Sequence, residues 1–94
     1  MRLLWQIYMN KRQLGNTNIN LNAIGFGGAP LGDLFENLEE PNCFQVLEKC
    51  YEANINLYDT SPLYGYGLSE HRLGNFLKTV DEDSYYLSTK VGRY

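Results

Sequence analysis

Two hydrophobic periodicities alternate along this chain, and that alternation limits its fold more than any other feature. Short apolar runs at Ala23–Gly28, Ile55–Tyr58 and Tyr85–Thr89 read as strands, and the segments between them carry apolar residues at helical spacing. The first helical segment opens near Pro41, behind Glu39 and Glu40, a combination that favours a helix start. It places Phe44, Leu47 and Tyr51 on one face and ends near Ala53-Asn54, where asparagine tolerates the left-handed cap. The second opens near Ser69, a credible N-cap, and carries the stripe Leu73, Phe76, Leu77 and Val80. Strand, helix, strand, helix, strand predicts an α/β fold with a parallel sheet and right-handed crossovers. Ahead of this unit, Gln13–Asn22 is polar, with Gly15-Asn16 as a turn and Ile19 alternating with Leu21, which predicts a short hairpin.

Composition narrows the classes of function. The chain has 94 residues, 44% of them hydrophobic, so it is one domain or a piece of one and is not disordered. Its formal charge is −3 and basic residues such as Lys11, Arg12, Arg72, Lys78, Lys90 and Arg93 are scattered, which argues against a nucleic-acid partner. No apolar run approaches the roughly 20 residues that span a bilayer. Residues 1–10 are expected to be an N-terminal extension outside the fold: Leu3-Leu4-Trp5 is too short for a signal peptide, and Met9 is a second possible start. Cys43 and Cys50 stand seven positions apart, so on a helix they lie roughly 10 Å apart, too far for a disulfide. Two buried thiols in a reducing compartment are the expectation, and the protein is read as cytoplasmic. With one histidine, His71, there is no metal-binding spacing. His71 is read as a surface residue of the second helix.

The chemistry collects where the strands end, as it does in parallel α/β folds. Gly27-Gly28, Asp59 and Lys90 each close a strand, and Tyr64 lies in the glycine-containing loop Thr60–Leu68 after the second. A phenol has a reference pKa near 10, too high for easy proton exchange at neutral pH. An ammonium beside a phenol favours the phenolate, and a carboxylate beside that ammonium keeps it charged and in place. Asp59, Lys90 and Tyr64 can thus form a general acid–base relay with Tyr64 as the proton carrier. Such a relay suits carbonyl–alcohol interconversion, in which a hydride and a proton move separately. Tyr86-x-x-x-Lys90 spells another dehydrogenase signature, but that signature needs a helix, and this run is β-rich.

Together, Asp59-Thr60-Ser61-Pro62-Leu63-Tyr64-Gly65, Ser69-Glu70, Leu73-Gly74 and Thr89-Lys90-Val91-Gly92 resemble the aldo-keto reductase superfamily. Leu14-Gly15-Asn16-Thr17 and Gly25-Phe26-Gly27-Gly28-Ala29-Pro30-Leu31-Gly32 resemble that family's opening hairpin and first strand. The likeness spans Lys11 to Gly92 and is greatest to the branch that oxidises aldoses or pyridoxal. It implies an NAD- or NADP-dependent oxidoreductase that interconverts an aldose or aldehyde and its oxidised or reduced partner. The substrate would be a small sugar, an aldehyde or a pyridoxal-like molecule. Tyr64, Lys90 and Asp59 would be catalytic, and Asp59 would also touch the nicotinamide ribose. Gly27 and Gly28 would let the backbone come close to the nicotinamide. The family's catalytic histidine, on the following strand, has no counterpart here.

The implied fold is a (β/α)8 TIM barrel, which typically needs about 250 residues. Residues 11–94 would supply its N-terminal portion: two βα units and a third strand. The chain is therefore expected to be truncated and inactive alone. A non-enzymatic remnant, and a small interaction module derived from the same fold, remain alternatives at this level.

Overall fold

The computed structural model describes residues 11–33 and 35–92, and the expected extension at 1–10 lies outside them. Lys11–Gln13 (β1) and Asn20–Asn22 (β2) form the antiparallel hairpin, with Lys11 opposite Asn22 and Gln13 opposite Asn20. Phe26–Gly27 (β3), Leu57–Asp59 (β4) and Tyr86–Ser88 (β5) form a parallel sheet in the order β3-β4-β5. Glu40–Glu52 (α1) connects β3 to β4, and Leu68–Leu77 (α2) connects β4 to β5. The alternation expected from sequence is the alternation found, with Gly27, Asp59 and Ser88 level at the carboxyl edge of the sheet.

Element boundaries move for local reasons. β3 is only two residues long, because Ala23–Gly25 bend away and Ile24 is exposed. One further ladder bond continues past it, from Gly28 N to the Asp59 carbonyl at 2.7 Å. α1 starts at Glu40 with Pro41 in its first turn, where a missing N–H costs nothing. It ends at Ala53, and Asn54 takes the left-handed conformation at φ 66°. Ser69 is not the N-cap of α2. That place falls to Gly67, at φ 99°, and Ser69 lies fully buried inside the first turn. Val80 lies beyond the end of α2 but still packs against the core.

The core is built from Leu31, Cys43, Leu47, Tyr58, Leu73, Phe76 and Leu77. Phe76 is its aromatic centre, with Phe44 and Tyr51 packed edge-on at 5.3 and 6.0 Å. Tyr58 is wholly buried, and its hydroxyl donates to the Ile55 carbonyl at 2.9 Å. Burial pushes its phenol far above the ordinary range. Both cysteines are free thiols; Cys43 is buried and Cys50 half-buried. Burial raises both thiols' pKa values, so they behave as core groups and not as nucleophiles. β5 is less covered than parallel strands usually are: Leu87 is 55% and the following Val91 87% exposed, because no described element packs over them.

Arg72 departs most from expectation. Counted in sequence only among the scattered basic residues, it is 6% exposed. Its guanidinium donates to the Leu31 and Leu38 carbonyls at 2.8 and 3.0 Å, to Asp33 at 2.7 Å and to Glu40 at 2.8 Å. One side chain of α2 thereby ties down the loop after β3 and the start of α1. The ion pair and a backbone N–H from Leu38 hold the Asp33 carboxyl below its ordinary pKa. A second clamp is backbone against backbone. A Cβ on Gly32 would lie 2.4 Å from the Tyr64 carbonyl carbon, and one on Gly65 would lie 2.6 Å from the Gly32 oxygen. Only two glycines allow the loops after β3 and β4 to touch this closely.

Arg72→Met keeps the stem but strands two carbonyl acceptors, so it is expected to destabilise the folded chain by about 2–3 kcal/mol at neutral pH. Because the folded pKa of Asp33 is depressed, its contribution is present above the unfolded carboxylate pKa and is lost as pH falls through the folded value. The gap between wild type and Arg72→Met should therefore narrow in acid, as read from denaturant midpoints across pH. A constant gap would show that the ion pair contributes nothing.

Candidate active site

The parallel register sets the site. Gly27, Asp59 and Ser88 are aligned neighbours on β3, β4 and β5, and Lys90 follows Ser88 by two residues. Lys90 Nζ turns back across the sheet edge. It donates to Asp59 Oδ2 at 3.3 Å and to the Thr60 carbonyl at 3.1 Å. The same ammonium stands 5.2 Å from the centre of the Tyr64 ring. The three residues expected to act together are thus adjacent, with the cation between the carboxylate and the aromatic ring. Desolvation works against the Lys90 ammonium, but the Asp59 carboxylate and Tyr64 outweigh it and raise the Lys90 pKa. Lys90 remains a charged donor at neutral pH, as an electrostatic partner of a phenol must.

The two glycines differ. Gly27 is exposed and open above its Cα, with no atom within 4 Å of where a Cβ would stand. It therefore leaves bare backbone beside Asp59 for a flat group to approach. Gly28 is buried, and the chain itself fills its free side. A Cβ there would meet the Asp59 carbonyl oxygen and Ser69 Oγ, each at 2.8 Å.

Beneath the three residues lies a knot that local sequence rules do not reveal. Ser69 Oγ donates to the Gly28 carbonyl at 2.7 Å. Thr60 Oγ1 lies 2.7 Å from Ser69 Oγ, and since the single Ser69 proton is in use, Thr60 is the donor. Thr60 N donates to the Ser88 carbonyl at 2.8 Å. All three strand ends are therefore tied through Thr60 and Ser69, both almost fully buried. Glu70, the next residue of α2, accepts from Thr89 Oγ1 at 2.8 Å and steadies the approach to Lys90. The signal for Ser69 and Arg72 was present in spacing. Ser69, Arg72, Leu73, Phe76 and Leu77 follow one helical face, so the two polar members share the buried stripe. His71, one position off that stripe, is exposed, and among the described residues its ring hydrogen-bonds Asn75 at 3.2 Å.

Comparison with known proteins identifies the family and the fold. Residues 23–94 match the Aldo/keto reductase family. The chain is 49% identical over 71 residues to D-threo-aldose 1-dehydrogenase from Pseudomonas sp, covering 76% of this chain and 22% of that protein. It is 42% identical over 85 residues to L-galactose dehydrogenase from Arabidopsis thaliana, covering 88% of this chain and 27% of that one. Among solved structures, it superposes on an aldo-keto reductase from Bacillus halodurans (holo form) with a TM-score of 0.77 at 34% identity, covering 89% of this chain and 26% of the other. The chain thus spans about a quarter of the length of these relatives, and its fold is the N-terminal portion of their TIM barrel. No described helix is long and apolar enough to cross a membrane. With most of its length matched by the family model and the family's fold present, the chain belongs to the aldo/keto reductase family.

Proposed function

We propose that this sequence is the N-terminal part, residues 11–94, of a nicotinamide-dependent oxidoreductase that interconverts a small aldose or related aldehyde and its oxidised partner. The observation that carries the proposal is the Lys90 ammonium, held by Asp59 on one side and facing the Tyr64 ring on the other. Similarity to dehydrogenases of D-threo-aldose and L-galactose supports the sugar class. The 41% identity to pyridoxal 4-dehydrogenase from Microbacterium luteolum, over 83 residues, extends it to aromatic aldehydes.

The residues present fit the cofactor. Gly27 leaves open backbone at the rim, and the partly exposed Asp59 carboxylate stands next to it in register. These two would face the nicotinamide and its ribose, while Gly28 serves the packing below them. When bound, a nicotinamide supplies the hydride chemistry. The chain's own residues handle the proton. In oxidation, Tyr64 accepts the proton of the reacting hydroxyl as that carbon gives up its hydride; in reduction, Tyr64 returns it to the carbonyl oxygen. Lys90 favours the deprotonated phenol through charge, and Asp59 fixes Lys90. The clamp of Gly32 on the Tyr64–Gly65 backbone holds the phenol in range.

In the whole polypeptide that carries this sequence, Tyr64→Phe should lower kcat by two orders of magnitude or more, within the usual range of general acid–base catalysis. Cofactor affinity, read by fluorescence titration, should change little. An equal loss of affinity and turnover would contradict the role given to Tyr64. Lys90→Met removes the charge that favours a neighbouring phenolate, so the optimum for oxidation should move to higher pH. A pH–rate profile with an unchanged ascending, low-pH limb would show that Lys90 serves only the packing of the strand ends.

A further inference from the structure

At the other end of the sheet, a cleft of about 370 Å³ opens under the hairpin, and none of Asp59, Tyr64 or Lys90 lines it. Its walls include Lys11 and Asn22 of the hairpin, Tyr51 near the end of α1, Ile55 and Asn56 ahead of β4, and Ser84 ahead of β5. Asn22 is 6% exposed, and among the described residues its Nδ2 is the buried side-chain polar atom with no hydrogen-bond partner. A buried donor without an acceptor is costly, and proteins rarely keep one without use.

Most of the neighbouring polar groups are already occupied. Asn56 Oδ1 accepts from Asn22 N at 2.9 Å, and Asn56 Nδ2 donates to the Asn20 carbonyl at 3.0 Å. Tyr51 donates to Ser84 Oγ at 2.8 Å, and Ser84 Oγ donates in turn to the Asp81 carbonyl. The carbonyls of Lys49, Cys50 and Tyr51 at the end of α1 accept from Ala53, Ile55 and Asn54. Two donors remain. Lys11 is the direct cross-strand partner of Asn22, so its side chain shares a face with the Asn22 amide. It forms no ion pair among the described residues, and no carboxylate lines the cleft.

We infer that this cleft binds a small organic carboxylate. One oxygen accepts from Asn22 Nδ2, the charge lies toward Lys11, and the alkyl part rests against Ile55 and the Tyr51 ring. The site is independent of the reaction proposed for the rim, because it shares no residue with it.

Propionate is the probe, added to the whole polypeptide labelled with ¹⁵N. It should shift the Asn22 side-chain amide resonances saturably and raise the thermal midpoint. Neutral propionamide should do neither. In Lys11→Gln, a change on an exposed strand residue, affinity should fall by about tenfold or more. In Asn22→Leu the propionate-dependent rise in midpoint should vanish, while the midpoint without propionate holds or increases. Three results would overturn the inference. No movement of the Asn22 amide would mean that solvent alone satisfies it. An equal response to propionamide would remove the role of charge. An equal response to inorganic phosphate would mean the site reads negative charge and not an organic acid.

Discussion

One buried hydrogen bond, from the Ser69 hydroxyl to the Gly28 carbonyl, organises the working end of this molecule. It joins the first turn of α2 to the exit of β3, and Thr60 joins β4 to the same point. From there the connections spread. Gly28 N returns to the Asp59 carbonyl, Thr60 N reaches the Ser88 carbonyl, and the Thr60 carbonyl receives Lys90. Three strands of two or three residues each have too few ladder bonds to define their own ends. The side-chain hydroxyls supply what the ladders lack, in a region where each buried polar group is satisfied. This also explains the glycine at 28, since any Cβ there would displace Ser69 or the Asp59 backbone.

The loops above the sheet are held by different means. Arg72 reaches from α2 to Leu31, Asp33, Leu38 and Glu40, turning a long connection into a fixed one. The contact of Gly32 with Gly65 then transmits that fixed position to the loop carrying Tyr64. The order of dependence runs from α2 to the β3 loop, and from that loop to Tyr64. The general acid–base role proposed for Tyr64 would need this kind of support, because a misplacement of about 1 Å can cost two orders of magnitude in rate.

Much of this was legible in the sequence, and the rest was hidden for identifiable reasons. Asp59 and Lys90 could be placed at strand ends, and Tyr64 in the loop after one of them, because strand-like and helix-like segments alternate and both charged residues close strand-like runs. The left-handed turn at Asn54 followed from asparagine's tolerance of that conformation. Ser69 was misjudged because capping rules are local, whereas its hydroxyl is used 41 positions away, at Gly28. Arg72 is easily passed over in sequence because composition counts it with seven other scattered basic residues. Its spacing from Ser69, Phe76 and Leu77 places it on the buried face. Gly27 and Gly28 look equivalent in sequence, and only the fold separates an open glycine at the rim from one that permits packing.

Under the function proposed here, the rim residues and the buried knot would together make a proton-transfer site that a longer barrel completes. The most direct test is a crystal structure of the whole polypeptide with its nicotinamide cofactor bound. The account predicts the nicotinamide against Gly27 and Asp59, with the Tyr64 hydroxyl within hydrogen-bonding distance of Lys90 and facing the nicotinamide. A cofactor seated elsewhere, or a Tyr64 hydroxyl turned away from Lys90 while the cofactor is bound, would contradict it.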